Sequence, residues 1–207
     1  WKSDVDNPVE LLNACYSEAA QNDNLYGDSW LIVEFASAPE WSSPVRGQLT
    51  HNFIFVVNSP SPPTREWELP ETSNDGQVFL YLPNGWPNTG TDKGIVTSKI
   101  EPNPRYNYFI YSDGNIGHFN TKIANPISLQ GSIFLSGTSQ LNSAHGDNDL
   151  AIRFNQTLVE NLATSHILCN YDGSRICAAY AGVAGGVDDA PVLNHSVDSY
   201  HIATAPQ

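Results

Sequence analysis

Carboxylates are the commonest chemistry-bearing side chains in this sequence, and two groups of them sit in turn-like contexts. Asp147-Asn148-Asp149 and Asp188-Asp189 offer hard oxygen donors of the kind Ca²⁺ accepts in flexible geometry. Neither continues into a twelve-residue helical-loop pattern, so Asp147 and Asp149 stand as a simple Ca²⁺-type pair, with solvated acidic turns as the other reading. A glycosidase draws its two carboxylates from separate strands, so spacing along the chain does not test for one. The six histidines, at 51, 118, 145, 166, 195 and 201, form no H-x-x-x-H pair, and the three cysteines form no C-x-x-C, which leaves zinc without a ligand set. The glycine-rich stretch at 182–186 lacks the Lys-Ser/Thr of a phosphate loop. Trp86, in Pro83-Asn84-Gly85-Trp86-Pro87-Asn88-Thr89-Gly90, lies where regular structure is hard to sustain. With Asn88 beside it, the ring suits stacking on a sugar or a partner surface, and it equally suits anchoring the loop in the core. Trp41 and Trp67, each near a proline, share both readings.

The elements that must position these groups are mostly strands. One helix is signalled near the N-terminus: Asp6 or Asn7 can cap it, Pro8 suits its first position, and Val9, Leu12, Cys15 or Tyr16 and Ala19 recur at helical spacing. Beyond it, apolar runs are short, rich in β-branched and aromatic residues, and bounded by Gly, Pro, Asn or Asp. They predict strands near 30–36, 48–57, 77–82, 94–100, 106–111, 116–120, 128–136, 150–154, 165–170, 175–181 and 199–204, with a helical turn or two at 156–164. Asp113-Gly114 and Asp172-Gly173 read as hairpin turns. Strands without helices regularly between them, and with no internal repeat in view, predict an all-β chain: an antiparallel β-sandwich or jelly-roll-like barrel with one short N-terminal helix. The Pro- and Ser-rich stretch at 58–64 reads as a linker or crossover. It separates an N-terminal helix and strand pair (1–57) from a main β domain (65–207), or else it is a loop within a single domain.

With 207 residues, the chain is long enough for a sizeable core. Nine Lys plus Arg stand against 22 Asp plus Glu, a formal charge of −13. Nucleic acids and anionic membranes are bound through clustered cations, so neither is expected as a partner, and no apolar run approaches membrane-spanning length. The absence of Met and the opening Trp1-Lys2-Ser3 read as a processed product or an excised fragment. Cys15, Cys169 and Cys177 allow at most one internal pair. A two-residue turn at 172–173 would set Cys169 opposite Ile176, whereas a three-residue turn would set it opposite Cys177, so a disulfide and buried free thiols both remain open.

Two resemblances extend this reading. The run Trp30-Leu31-Ile32-Val33-Glu34-Phe35-Ala36, followed by Gly47-Gln48-Leu49-Thr50-His51-Asn52-Phe53 and a Pro-rich exit, resembles the end of the jelly-roll shell domain of small RNA-virus coat proteins. That resemblance implies a viral capsid or spike surface protein, with residues 65–207 as a protruding domain. It would self-associate with neighbouring subunits and recognise a host receptor or glycan on the virion surface, with no catalytic residues and no cofactor. The acidic charge suits an outward-facing position. A secreted, extracellular glycan-binding or glycoside-processing β-sandwich has nearly the same composition and is the first alternative.

Gly27-Asp28-Ser29, Gly146-Asp147-Asn148-Asp149 and Asp198-Ser199-Tyr200-His201 are similar to the three blocks of the SGNH (GDSL-type) hydrolases. By that resemblance Ser29 would be the nucleophile of an esterase, Asn148 and the region of Gly27 its oxyanion surroundings, and Asp198 and His201 the orienting acid and general base. In that family the serine ends a strand and opens a helix, whereas here the apolar strand-like run follows Ser29.

Overall fold

The computed structural model of the chain describes residues 7–26, 29–39, 41, 45–58, 66–86, 94–97, 104–121, 127–135, 139–143 and 150–164. Helix α1 spans Pro8–Gln21. Asn7 caps it by accepting the Glu10 amide through Oδ1 at 3.2 Å, while the Asn7 amide group donates back to the Glu10 carboxylate at 3.1 Å. The strands are β1 (Trp30–Phe35), β2 (Gln48–Leu49), β3 (Asn52–Val57), β4 (Trp67–Glu68), β5 (Glu71–Thr72), β6 (Gln77–Leu82), β7 (Ile95–Thr97), β8 (Tyr106–Ser112), β9 (Ile116–Thr121), β10 (Ile127–Leu135), β11 (Ser139–Ser143) and β12 (Leu150–Arg153). Helix α2, Gln156–Thr164, follows, where the sequence signals a short helical stretch.

Every strand-to-strand pairing is parallel. The large sheet has the order β1-β3-β6-β8-β10-β12, the second sheet β11-β9-β7-β4, and a small third sheet pairs β2 with β5. The chain therefore winds from the large sheet to the second and back, laying each turn beside the previous one. This is a β-solenoid, and it overturns the antiparallel sandwich or jelly-roll-like barrel expected from the sequence. The jelly-roll form implied by the coat-protein resemblance is likewise not the form of residues 30–57. Their two main strands, β1 and β3, lie side by side in the same direction with Trp30 beside Asn52 and Phe35 beside Val57. The turn at Asp113-Gly114 is present, but it carries the chain from β8 in the large sheet to β9 in the second rather than back along β8. The coil also reveals a repeat. Partners in the large sheet lie 22 (Trp30 and Asn52), 25 (Asn52 and Gln77), 30 (Val78 and Tyr108), 23 (Tyr106 and Leu129) and 23 (Ile127 and Leu150) residues apart. These unequal lengths give no fixed sequence period.

The residues between the sheets form one core. Alternate residues of the large sheet, including Val33, Phe55, Leu80 and Ile110, face inward to meet Trp67, Ile95 and Phe119 from the second sheet. This cluster includes Phe55 and Val57 before the Pro-rich stretch as well as Trp67 and Leu69 after it. Trp41, Trp67 and Trp86 form an aromatic column through the interior. Trp67 stacks on Trp86 with ring centroids 5.4 Å apart, and it meets Trp41 edge-on at 5.8 Å and Phe35 at 6.4 Å. The outer face of the large sheet has a second cluster, in which Ile54, Phe79 and Phe109 lie with Leu158, Val159 and Leu162 of α2. Helix α1 closes the N-terminal end. Val9 and Leu12 are buried, and Asn13 clasps the β2 edge by donating to the Gln48 carbonyl at 3.0 Å and accepting from the Thr50 amide at 3.1 Å. Repeat folds of this kind need such caps, because a terminal rung has a neighbour on one side only.

Tyr108 ties the two walls together: its hydroxyl donates to the Pro70 carbonyl at 2.7 Å across the interior. Burial, with the neighbouring Tyr106 adding to it, holds this phenol protonated well above its ordinary value of 10.0. A group whose folded pKa is raised contributes stability that is complete below the unfolded pKa and lost as pH rises through the folded one. The protein is therefore expected to lose stability progressively above about pH 10. The variant Tyr108→Phe forfeits the hydrogen bond, about 0.5–1.5 kcal/mol at neutral pH, and its stability falls less steeply in alkali. Urea midpoints measured at neutral and alkaline pH for both proteins check this; parallel alkaline slopes would contradict it.

Candidate functional site: a polar row across the large sheet

On the outer face of the large sheet, one level of the rungs aligns polar side chains across β3, β6, β8, β10 and β12. Asn52 lies beside Gln77, Asn107 beside Gln130, and Gln130 beside Arg153; Gln77 and Asn107 each precede the matched pair Val78 and Tyr108 by one residue. Four carboxamides and a guanidinium thus cross five neighbouring strands. The placement follows from strand geometry, since residues two apart share a face and in-step parallel strands carry that face from rung to rung.

The middle of the row holds the fold. Asn107, almost wholly buried, donates to the carbonyls of Ser73 (3.1 Å) and Gly76 (2.9 Å), closing the turn that leads into β6, while its own amide donates to Thr72 Oγ1 at 3.0 Å. Gln77 accepts from the Asn161 side chain of α2 at 3.1 Å, which pins that helix over the sheet. The flanks are more open: Asn52 and Gln130 are half-buried and Arg153 is exposed. Two residue pairs further along the same face, beyond Phe79 and Phe109, Tyr81 and Tyr111 lie with ring centroids 5.6 Å apart, and Tyr81 is half-buried. Amide and guanidinium groups at an open flank can hydrogen-bond a polyhydroxylated ligand.

No protein-family model, curated protein or solved structure matches the chain.

The residues singled out in the sequence are distributed as follows. Trp86 is fully buried and stacked on Trp67, the position of a core anchor; Asn88 lies outside the described residues. Ser29 sits in the turn before β1, its carbonyl accepting the Tyr16 hydroxyl at 3.0 Å and its amide donating to the Tyr26 carbonyl at 3.4 Å. Asn148, Asp198 and His201 lie outside the described residues, as do Asp147 and Asp149, Cys169 and Cys177. Among the described residues, no group of three or more His, Cys, Asp or Glu is placed to hold a metal ion, and no helix is long and apolar enough to cross a membrane. His51 stacks flat on Tyr16 with centroids 4.2 Å apart. The polar row was not visible in the sequence, because its members belong together only once the rungs are in register. A weak signal existed: Asn52, Gln77 and Asn107 each immediately precede an apolar strand run.

Proposed function

We propose that the chain is a surface-recognition scaffold, carried on a virion among neighbouring subunits or secreted, that binds an extended glycan. The supporting observation is the row of carboxamides ending in Gln130 and Arg153. Neighbouring strands are about 4.8 Å apart, close to the advance of one pyranose along an extended polysaccharide, so the adjacent rungs that carry Gln130 and Arg153 can address two successive sugars. Amides both donate to and accept from hydroxyls, and Arg153 adds donors suited to a sugar carboxylate. The acidic surface favours neutral glycans, or glycans whose anionic groups fall at Arg153 alone.

A glycan array probed with the purified chain, followed by calorimetry on the best hit, tests this. Gln130→Ala with Arg153→Ala is expected to weaken binding by about tenfold or more, the effect of losing one to two net hydrogen bonds including a charged one. An empty array, or a hit indifferent to the double variant, would sink the proposal.

A further inference from the structure

Among the described residues, the β1 edge of the large sheet is unpaired in its middle. In a parallel strand the amide and carbonyl of one residue point to one neighbour and those of the next residue to the other. The Phe35 carbonyl accepts the Asn58 amide on the β3 side. Phe35, Val33 and Leu31 therefore face β3, and Trp30, Ile32 and Glu34 face away from it. The second observation agrees: Trp30 exchanges backbone hydrogen bonds on that outer side with Tyr26, at 3.0 and 2.6 Å. Past that single bridge, nothing among the described residues pairs with the outward amides and carbonyls of Ile32 and Glu34. Helix α1 docks against β2, where Asn13 clasps it, and its Tyr16 hydroxyl donates to the Ser29 carbonyl just before β1 begins. Ile32 is half-buried and Glu34 exposed.

We propose that this edge binds an extended segment of another protein, which adds a strand beside β1 and carries Lys or Arg opposite Glu34 and an apolar residue opposite Ile32. Unpaired strand groups are a template for an incoming chain, which gains its affinity from main-chain hydrogen bonds and its selectivity from alternate side chains. Charge selects the occupant. A second copy of this chain brings −13 and meets repulsion, whereas a basic strand meets Glu34 at the centre of the edge. The apolar positions of such a strand continue the columns that Ile32 and Val33 begin.

The probe is a peptide with the β3 sequence, Asn52–Val57, carrying Val56→Lys and a lysine at each end. Because β3 pairs Ile54 with Ile32 and Val56 with Glu34 on the opposite side of β1, the peptide offers the required pattern. Fluorescence anisotropy is expected to show saturable binding, and hydrogen exchange at the Ile32 and Glu34 amides is expected to slow in the complex. Ile32→Pro removes an outward donor while sparing the donors that bind β3, and Glu34→Lys reverses the charge without touching the backbone. Each is expected to weaken binding by about tenfold or more. If Ile32→Pro alters the circular dichroism, Glu34→Lys alone decides. Absence of saturable binding to the parent protein, or equal binding by Glu34→Lys, would overturn the proposal. So would concentration-dependent self-association that Glu34→Lys abolishes, because the occupant would then be a second copy.

Discussion

Trp67→Ala is expected to destabilise the protein by about 3–5 kcal/mol, the cost of emptying a fully buried aromatic site. Trp67 sits at the junction of three rungs. Its ring touches Phe35 on β1, Trp41 after β1 and Trp86 after β6, and its strand pairs with β7 at Ile95. Truncation therefore leaves a cavity whose walls belong to three successive turns of the coil, and no single neighbour can collapse into it. For a chain of this length each kcal/mol corresponds to about 2–4 °C in melting temperature, so the loss should be plain in a thermal scan. Trp67→Phe gives the contrast. The indole Nε1 of Trp67 is buried and makes no hydrogen bond, so phenylalanine keeps most of the stacking and removes an unsatisfied donor worth about 1–3 kcal/mol. The Phe variant should remain much closer to the parent. Equal losses for the two substitutions would show that the indole, not aromatic filling, is what the site requires.

Gly131→Ala is expected to cost about 2–4 kcal/mol through overpacking against backbone. Gly131 on β10 lies beside Tyr108 on β8. A methyl group there would fall within the radius of the Tyr108 carbonyl oxygen, 2.7 Å from its carbonyl carbon and 3.2 Å from Leu158 Cδ2 of α2. A side chain could rotate away, but a paired strand cannot. The β8–β10 ladder must open or α2 must lift, and hydrogen exchange should report lost protection in β10 and α2 while β3 and β6 stay protected. Ser132→Ala, one residue along, is the control. Ser132 is buried with its hydroxyl unpartnered, so its removal should be neutral or slightly stabilising. A Gly131→Ala protein as stable as the parent would show that the two strands have more room than their spacing indicates.

What the sequence disclosed was local. Asn7, Pro8 and Glu10 carry the capping chemistry of α1, and the structure places it there. The apolar runs at 30–35, 52–57, 77–82 and 106–111 are strands because β-branched and aromatic residues are crowded between polar breaks. How the strands pair was not legible. A turn at Asp113-Gly114 serves a hairpin or a corner equally well, since the same backbone reversal is completed by whichever strand happens to lie nearby. One clue pointed the other way: all seven residues of β8, Tyr-Asn-Tyr-Phe-Ile-Tyr-Ser, are buried, and runs apolar on both faces are characteristic of parallel sheets covered on each side. The polar row was hidden for the same reason. Gln77 and Asn107 are 30 positions apart in the chain, and only the rung register makes them neighbours.

The unequal spacing of the rungs bears on how the protein is made. Each turn of the coil finds its partner only 22 to 30 residues back along the chain, so a strand leaving the ribosome meets its template already in place. Helix α1 and β1, which emerge ahead of β3, can seat it, and β3 then seats β6, each addition burying its own share of the core before the next segment is synthesised. Such a molecule can be assembled in the order in which it is translated, as a wall is laid course upon course, without waiting for its last strand to complete the first.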